Sequence, residues 1–282
     1  MPSFLVVTTR DLPEAYFLAR FLESRRQRLG ILNITGRPPT AAVQVLRRLG
    51  RNRGWAYVAD LLAARALGAF RAPAPTHAFP DVDAATIAGL KARSPCHEHT
   101  DPHAPETLAF VARFAPDWIL LAGAPVLRPS LYGLAREGAL NRHLGLLPQY
   151  RGSDCPIWAL AANALDDVGF SIHLVTERVD AGDVVVRRAV PVPPAATLDG
   201  YLGLVQRQAS ETFVEVLDRI VRGVPLARQP QTGGGAYYPP APLSAQRRAR
   251  RNLRRRAGHY AHPRHPTGGW QVDSGPKTPR PA

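Results

Sequence analysis

Three polar residues whose types could do chemistry together, Asn141, His143 and Asp180, fall in one stretch between Ala139 and Asp183, ALNRHLGLLPQYRGSDCPIWALAANALDDVGFSIHLVTERVDAGD. A neutral imidazole near pH 7 can accept a proton or hand one over. A carboxylate beside it orients the ring and favours its charged form. An amide NH₂ can donate to an oxygen on which negative charge develops. No Ser or Cys is clearly placed as a nucleophile, since Ser153 and Cys155 lie in the turn after Arg151–Gly152. The trio therefore suits direct attack of an amine, or of water, on a carbonyl carbon, with no covalent intermediate on the protein. Polar residues in strand-end loops also commonly just cap backbone groups, so these three alone do not decide the chemistry.

The elements that must position them read as an α/β sheet. Phe4 to Thr8 is a β-branched run, Glu14 to Arg28 has apolar residues at helical spacing, and Ile31 to Ile34 makes a second strand. Strand, helix, strand in that order suggests a parallel βαβ unit with a right-handed crossover. A second helical region opens at Pro38–Pro39 and runs on through Trp55 to Phe70. A Pro-rich loop is expected over Arg71–Asp83, then a helix over Ala84–Arg93 capped by Asp83. Thr107–Phe114 reads as a helix, and Trp118–Leu121, apolar throughout, as a central parallel strand. A strand at Ala139–Asn141 delivers Asn141 and His143 to the carboxyl edge of the sheet, where such sheets keep their ligands. A helix follows over roughly Pro156–Leu165. Phe170–Leu174 and Val184–Val192 form a hairpin with a broad loop, Val175–Asp183, that holds Asp180. Leu198–Val221 is the strongest helical pattern in the chain. The expected fold is thus a Rossmann-like, mostly parallel sheet flanked by helices.

Composition narrows the class. The net charge is +14, but ten Lys and Arg against one Asp lie between residues 243 and 282, so that stretch holds +9 of it. The expected organisation is a catalytic domain over 1–242 and a basic, mostly disordered tail over 243–282, with at most a helical turn near Arg247–Arg256. Contact between that tail and nucleic acid is compatible with its charge, and so is a solvated tail with no partner. Two cysteines are too few for a disulfide framework. The N-terminus has no secretory pattern and no segment has the length of a membrane span, so a cytoplasmic protein is expected. The first strand–helix turn carries neither GxGxxG nor GxxxxGK[ST], which removes the main support for a dinucleotide or nucleoside triphosphate. SPCHEHTDPH gathers Cys96, His97, His99 and His103, yet its spacing fits no common zinc pattern, and a polar loop without metal is expected.

N-R-H-L-G-L-L-P-Q-Y-R-G from Asn141 to Gly152, followed after a strand by V-D-A-G-D from Val179 to Asp183, resembles the catalytic domain of the folate-dependent formyltransferases. That family includes enzymes acting on methionyl-tRNA, on glycinamide ribonucleotide and on sugar nucleotides. The resemblance covers about residues 95–240 well and the N-terminal unit loosely. It implies 10-formyltetrahydrofolate as formyl donor, with Asn141 on the formyl oxygen, His143 polarising that oxygen or moving the amine's proton, and Asp180 orienting His143. It also implies that the donor lies between the AGAPVLRP loop, near Pro125, Val126 and Leu127, and the 175–183 loop with Gly182. Gly145 stands where the family usually has Ser. The first loop, TTRDLPEA, lacks the Gly-rich phosphate cradle of the glycinamide ribonucleotide enzymes.

The leading expectation is an N-formyltransferase acting on a small primary amine, such as an amino-sugar nucleotide. Formylation of methionyl-tRNA and hydrolysis of formyltetrahydrofolate are the alternatives within the family. A non-catalytic nucleic-acid-binding protein is the alternative outside it.

Overall fold

A computed structural model describes residues 1–36, 39–67, 78–194 and 196–257, with the side chains of 39–42 and 257 left out. The chain begins with β1 (Ser3–Thr9), α1 (Pro13–Ser24) and β2 (Arg28–Ile34), then α2 (Pro39–Arg53) and α3 (Trp55–Ala66). Next come α4 (Ala84–Arg93), β3 (Cys96–His99), α5 (Pro105–Phe114), β4 (Trp118–Leu121), α6 (Pro129–Tyr132), β5 (Gly138–His143) and β6 (Tyr150–Gly152). The rest is α7 (Cys155–Ala161), β7 (Gly169–Leu174), β8 (Val184–Ala189), α8 (Leu198–Val221), β9 (Ala236–Tyr238) and α9 (Leu243–Ala257).

Seven strands form one sheet in the order β3-β2-β1-β4-β5-β7-β8. The pairings from β3 to β5 are all parallel, and β7 and β8 are added antiparallel. Strand order reverses between β1 and β4, and the crevice outside the carboxyl ends at such a reversal is where open α/β sheets bind ligands. β1 shows why its sequence is apolar throughout. Phe4 and Val6 pack with α1 and α8 residues such as Leu18, Leu22 and Phe213 on one face. Leu5 and Val7 pack with Phe110, Val111 and Phe114 of α5 on the other. Both faces are covered, so neither parity of the strand tolerates polar residues.

Several expectations met the structure closely. Asp83 caps α4 by accepting the Thr86 N–H at 2.8 Å. α8 begins where Thr197 accepts the Gly200 N–H at 3.1 Å, and Tyr201, Val205, Phe213 and Leu217 line its buried face. Two expectations need correction, and one pairing was not anticipated. Cys96–His99, read as a loop, is β3, an edge strand paired with Ile31–Ile34. Tyr150–Gly152 pairs in parallel with Ala236–Tyr238 in a two-stranded sheet of its own.

Residues 243–257, read as part of a mostly disordered tail, form the helix α9. Its apolar positions Ala245, Ala249 and Leu253 recur every four residues and are buried with Ile157, Leu160 and Tyr201. Periodicity this sparse hides among arginines, which face outward from the same helix. Parts of three expectations, the tail beyond 257, the loop over 71–77 and the ends of the helical region at residue 38 and over 68–70, lie outside the described residues.

Candidate active site

β5 carries Asn141 and His143 on the same face, two residues apart, at its carboxyl end. β7 runs antiparallel beside it and sets His173 directly opposite Asn141. The loop leaving β7 returns Asp180 to the same place. Asp180 has φ of 52°, the left-handed region that aspartate enters more readily than most side chains. The loop is held by Gln231, whose Nε2 donates to the carbonyls of Asp180 at 3.1 Å and Gly182 at 2.7 Å. Gly182 is required by space, since a Cβ there would lie 2.0 Å from the Leu174 carbonyl oxygen.

Asp180 is the hub. Its Oδ2 accepts the Gly152 N–H at 2.8 Å and lies 3.6 Å from His143 Nδ1, and its Oδ1 lies 3.4 Å from His173 Nε2. Burial works to raise the Asp180 carboxyl, but the contacts with His173, His143 and Gly152 outweigh it and hold the group below the usual carboxylate range. For His143, burial depresses the imidazole below its ordinary value against the opposing pull of Asp180. The pair is therefore an ionised carboxylate beside a neutral ring, ready to take up a proton. His143 Nε2 donates to the Tyr150 carbonyl at 2.7 Å. Burial raises the Cys155 thiol, 3.7 Å from the same nitrogen, which removes it as a thiolate nucleophile.

His173 is a site residue that sequence reasoning missed. Its Nδ1 lies 2.8 Å from the Leu174 carbonyl, to which it donates, and its Nε2 lies 3.1 Å from Asn141 Nδ2, between that amide and Asp180. The amide of Asn141 is thereby oriented by its contact with His173. The available signal was the His inside FSIHLV, on the strand just before the Asp180 loop.

Asn141, His143, His173 and Asp180 line a cleft of about 400 Å³. Pro125, Val126 and Leu127 form part of its wall, as does Val179. Leu127 is buried, whereas Val126 is 66% exposed, an apolar side chain standing open on the rim. Gly182 shapes the loop without itself lining the cleft. A larger cleft of about 630 Å³ opens around Trp118 and Glu137, at the opposite end of the strands. None of the trio reaches it. Arg142, between Asn141 and His143 on β5, pairs with Glu14 at 3.2 Å, both side chains 3% exposed, and the two also contribute to the lining of the cleft that holds the trio.

A sequence model of the family described as "Formyl transferase" matches residues 63–217, more than half of the chain. The chain belongs to the formyl transferase family. Among relatives of this chain, methionyl-tRNA formyltransferase of Chlorobium chlorochromatii is 31% identical over 144 residues, covering 51% of this chain and 46% of the relative. The Geobacter metallireducens protein of the same name is 33% identical over 141 residues, 49% of this chain and 44% of the relative. The chain thus spans a little under half the length of these relatives.

Solved structures agree on the fold. A sugar N-formyltransferase from a Shewanella species superposes with TM-score 0.53 at 12% identity, over 84% of this chain and 76% of that one. Glycinamide ribonucleotide transformylase 1 from Symbiobacterium toebii gives TM-score 0.52 at 19% identity, over 82% and 93%. These likenesses show the same fold, a mostly parallel sheet flanked by helices. Among the described residues, no helix is long and apolar enough to cross a membrane.

Proposed function

We propose that this formyl transferase moves a formyl group from 10-formyltetrahydrofolate to a primary amine, with an amino-sugar nucleotide as the leading acceptor class, in the cytoplasm. The observation that carries the reading is the single cleft in which an oriented amide, a neutral buried imidazole and an ionised carboxylate meet. The donor fits the residues present. A cleft of about 400 Å³ is within the range of small-molecule sites, and the exposed Val126 beside Pro125 offers an apolar wall to a flat ring. Pro125, Val126 and Leu127 would hold the donor on that side, with Gly182 keeping the facing loop close.

Bound there, the donor supplies an electrophilic formyl carbon and a nitrogen that leaves. Asn141 donates an amide N–H to the formyl oxygen as charge develops on it. His143 takes the proton released by the attacking amine, and Asp180 stabilises the imidazolium that results. His173 keeps the Asn141 amide in its orientation through the 3.1 Å contact.

The test is to incubate the chain with 10-formyltetrahydrofolate, with and without a panel of amines, and follow tetrahydrofolate release. Turnover that needs an amine supports transfer, and equal turnover without one replaces it by hydrolysis. His143→Ala and Asp180→Ala should each lower turnover by about 100-fold or more, the scale of general acid–base groups. Near-normal rates in either variant would remove the assignment.

A second reading, transfer to an amine borne on RNA, is favoured by one observation. Arg247, Arg248, Arg251, Arg254 and Arg255 of α9 are all exposed, while the opposite face of the helix is fixed to the body. An arginine face held in place could grip phosphates by counterion release. Formylation of methionyl-tRNA that weakens with salt, and weakens further in an Arg251→Gln/Arg254→Gln variant, would move the acceptor to this class.

A further inference from the structure

The imidazole of His143 occupies space that only a glycine at position 145 leaves open. A Cβ built on Gly145 would stand 2.5 Å from His143 Nε2, 2.7 Å from the Tyr150 carbonyl oxygen and 3.0 Å from Cys155 Cβ. The first two atoms are the ends of one hydrogen bond, 2.7 Å long. A backbone carbonyl only accepts, so Nε2 must carry the proton of that bond. Any side chain at 145 has to displace the ring, the carbonyl or both, and the bond lies directly in its path. Real Cβ atoms do not approach either partner this closely.

We propose that Gly145 is a positioning residue: it fixes His143 with a proton on Nε2 and leaves Nδ1 as the ring's one exchangeable nitrogen. Nδ1 is the atom that faces Asp180 Oδ2 at 3.6 Å. The groups around the ring are few. Asp180 comes from the loop after β7, and His173 of β7 meets the ring edge-on with centroids 6.2 Å apart. Cys155 of α7 and the Tyr150 carbonyl of β6 lie on the Nε2 side. Asp180 is the carboxylate that contacts the ring, so a proton added to Nδ1 is held between that nitrogen and Oδ2.

The consequence for catalysis rests on the formyl-transfer reading, whereas the tautomer does not. As the amine bonds to the formyl carbon, its N–H breaks and the proton bonds to Nδ1, making an imidazolium clasped by the Tyr150 carbonyl and Asp180. The same proton then passes to the departing nitrogen of the donor as its bond to the formyl carbon breaks. Nε2 never releases its proton during the cycle. One nitrogen orients the ring and the other works.

The experiment is nitrogen NMR of the full chain carrying ¹⁵N-labelled histidine, read across pH, beside the pH profile of kcat. In the unaltered chain, Nε2 of His143 should keep the shift of a protonated nitrogen while only Nδ1 titrates. Gly145→Ala should release Nε2, so that both nitrogens titrate and the acid limb of the kcat profile moves. Its kcat should fall by about 10-fold or more with the donor KM little changed, the pattern of a lost transition-state interaction.

A merely structural role would lower thermal stability and leave both tautomer and profile in place. His143 with its proton on Nδ1 in the unaltered chain overturns the proposal by itself, whether or not the variant folds. An unchanged tautomer in a folded Gly145→Ala variant overturns it too. If the tautomer is as proposed and no amine is formylated, the functional reading fails while the positioning role stands.

Discussion

Asn141 and His173 face one another across the antiparallel pairing of β5 with β7, and Asn141 Nδ2 lies 3.1 Å from His173 Nε2. The amide assigned to the formyl oxygen is thus aimed by a histidine that does no proton transfer in the proposed cycle. His173→Leu removes that anchor and one of the partners of Asp180. Turnover should fall by about 10- to 100-fold, a typical loss when an oxyanion donor is misplaced. His173→Gln, whose amide can still meet Asn141, should lose less. Steady-state rates of the two variants check this, and equal losses would count against an aiming role.

The buried pair of Arg142 and Glu14 makes a different demand. Gln206 Nε2 donates to the same Glu14 oxygen at 3.1 Å, and the Gln206 carbonyl accepts from Arg142 at 3.2 Å. Removing one charge leaves the other uncompensated, so Arg142→Met should cost about 3–5 kcal/mol. Replacing both, Arg142→Met with Glu14→Met, should recover most of that loss. Urea unfolding of the three proteins decides it; a double variant as weak as the single one would show that the charges are not coupled.

Acid should loosen the fold in two steps of known sign. His143 has its folded pKa below the ordinary value of 6.5 because burial disfavours the charged ring. Above pH 6.5 both folded and unfolded chains hold it neutral. Below that, the unfolded chain takes up the proton first, and stability falls until the folded pKa is passed. Asp180 is depressed from 3.8, so its contribution is present above that pH and is lost at lower pH, through its folded pKa. His103, also lowered by burial, adds to the first step. Urea midpoints at pH 7 and pH 5 should therefore differ, and His143→Gln should narrow the difference. An undiminished drop in that variant would mean that His143 is not the titrating group.

On α9, the two faces should respond oppositely to substitution. Leu253 is 3% exposed among Leu160, Ala249 and Tyr201, so Leu253→Ala should cost about 2–5 kcal/mol. Exposed Arg254→Ala should change stability by no more than about 0.5 kcal/mol. Thermal unfolding of both variants tests whether the helix belongs to the folded body. Equal, small effects would detach it.

Local pattern made much of the fold legible. Trp118–Leu121 is apolar at every position because helices cover both its faces, and Leu198–Val221 repeats its buried residues over six turns. The Gly and Pro residues around Asn141, His143 and Asp180 let them be placed at strand ends, and the structure gathers them in one cleft, while their assigned roles came from the family-like spacing. What escaped depended on distant partners. His173 looks like an ordinary polar interruption of a strand until its register against Asn141 is known. Cys96–His99 becomes a strand only by bonding to β2, since its own residues have weak strand character. The Ala-Leu stripe of α9 carries little apolar area, and it is the surface of α7 that makes it a helix. Gly145 was visible as a departure from the family pattern, but the imidazole that fills its space was not.

The small sheet of β6 and β9 has a consequence for how the protein comes into being. The Ala236 N–H bonds to the Gln149 carbonyl at 3.1 Å and the Ser153 N–H to the Tyr238 carbonyl at 2.8 Å, tying both ends of the turn beside His143 to residues 236–238. A ribosome that has reached residue 235 has already made all the groups assigned to chemistry, yet not the strand that steadies the Tyr150 carbonyl. Maturation of the site therefore waits on translation of residues 236–238, and a nascent chain released before them would hold the trio without its support.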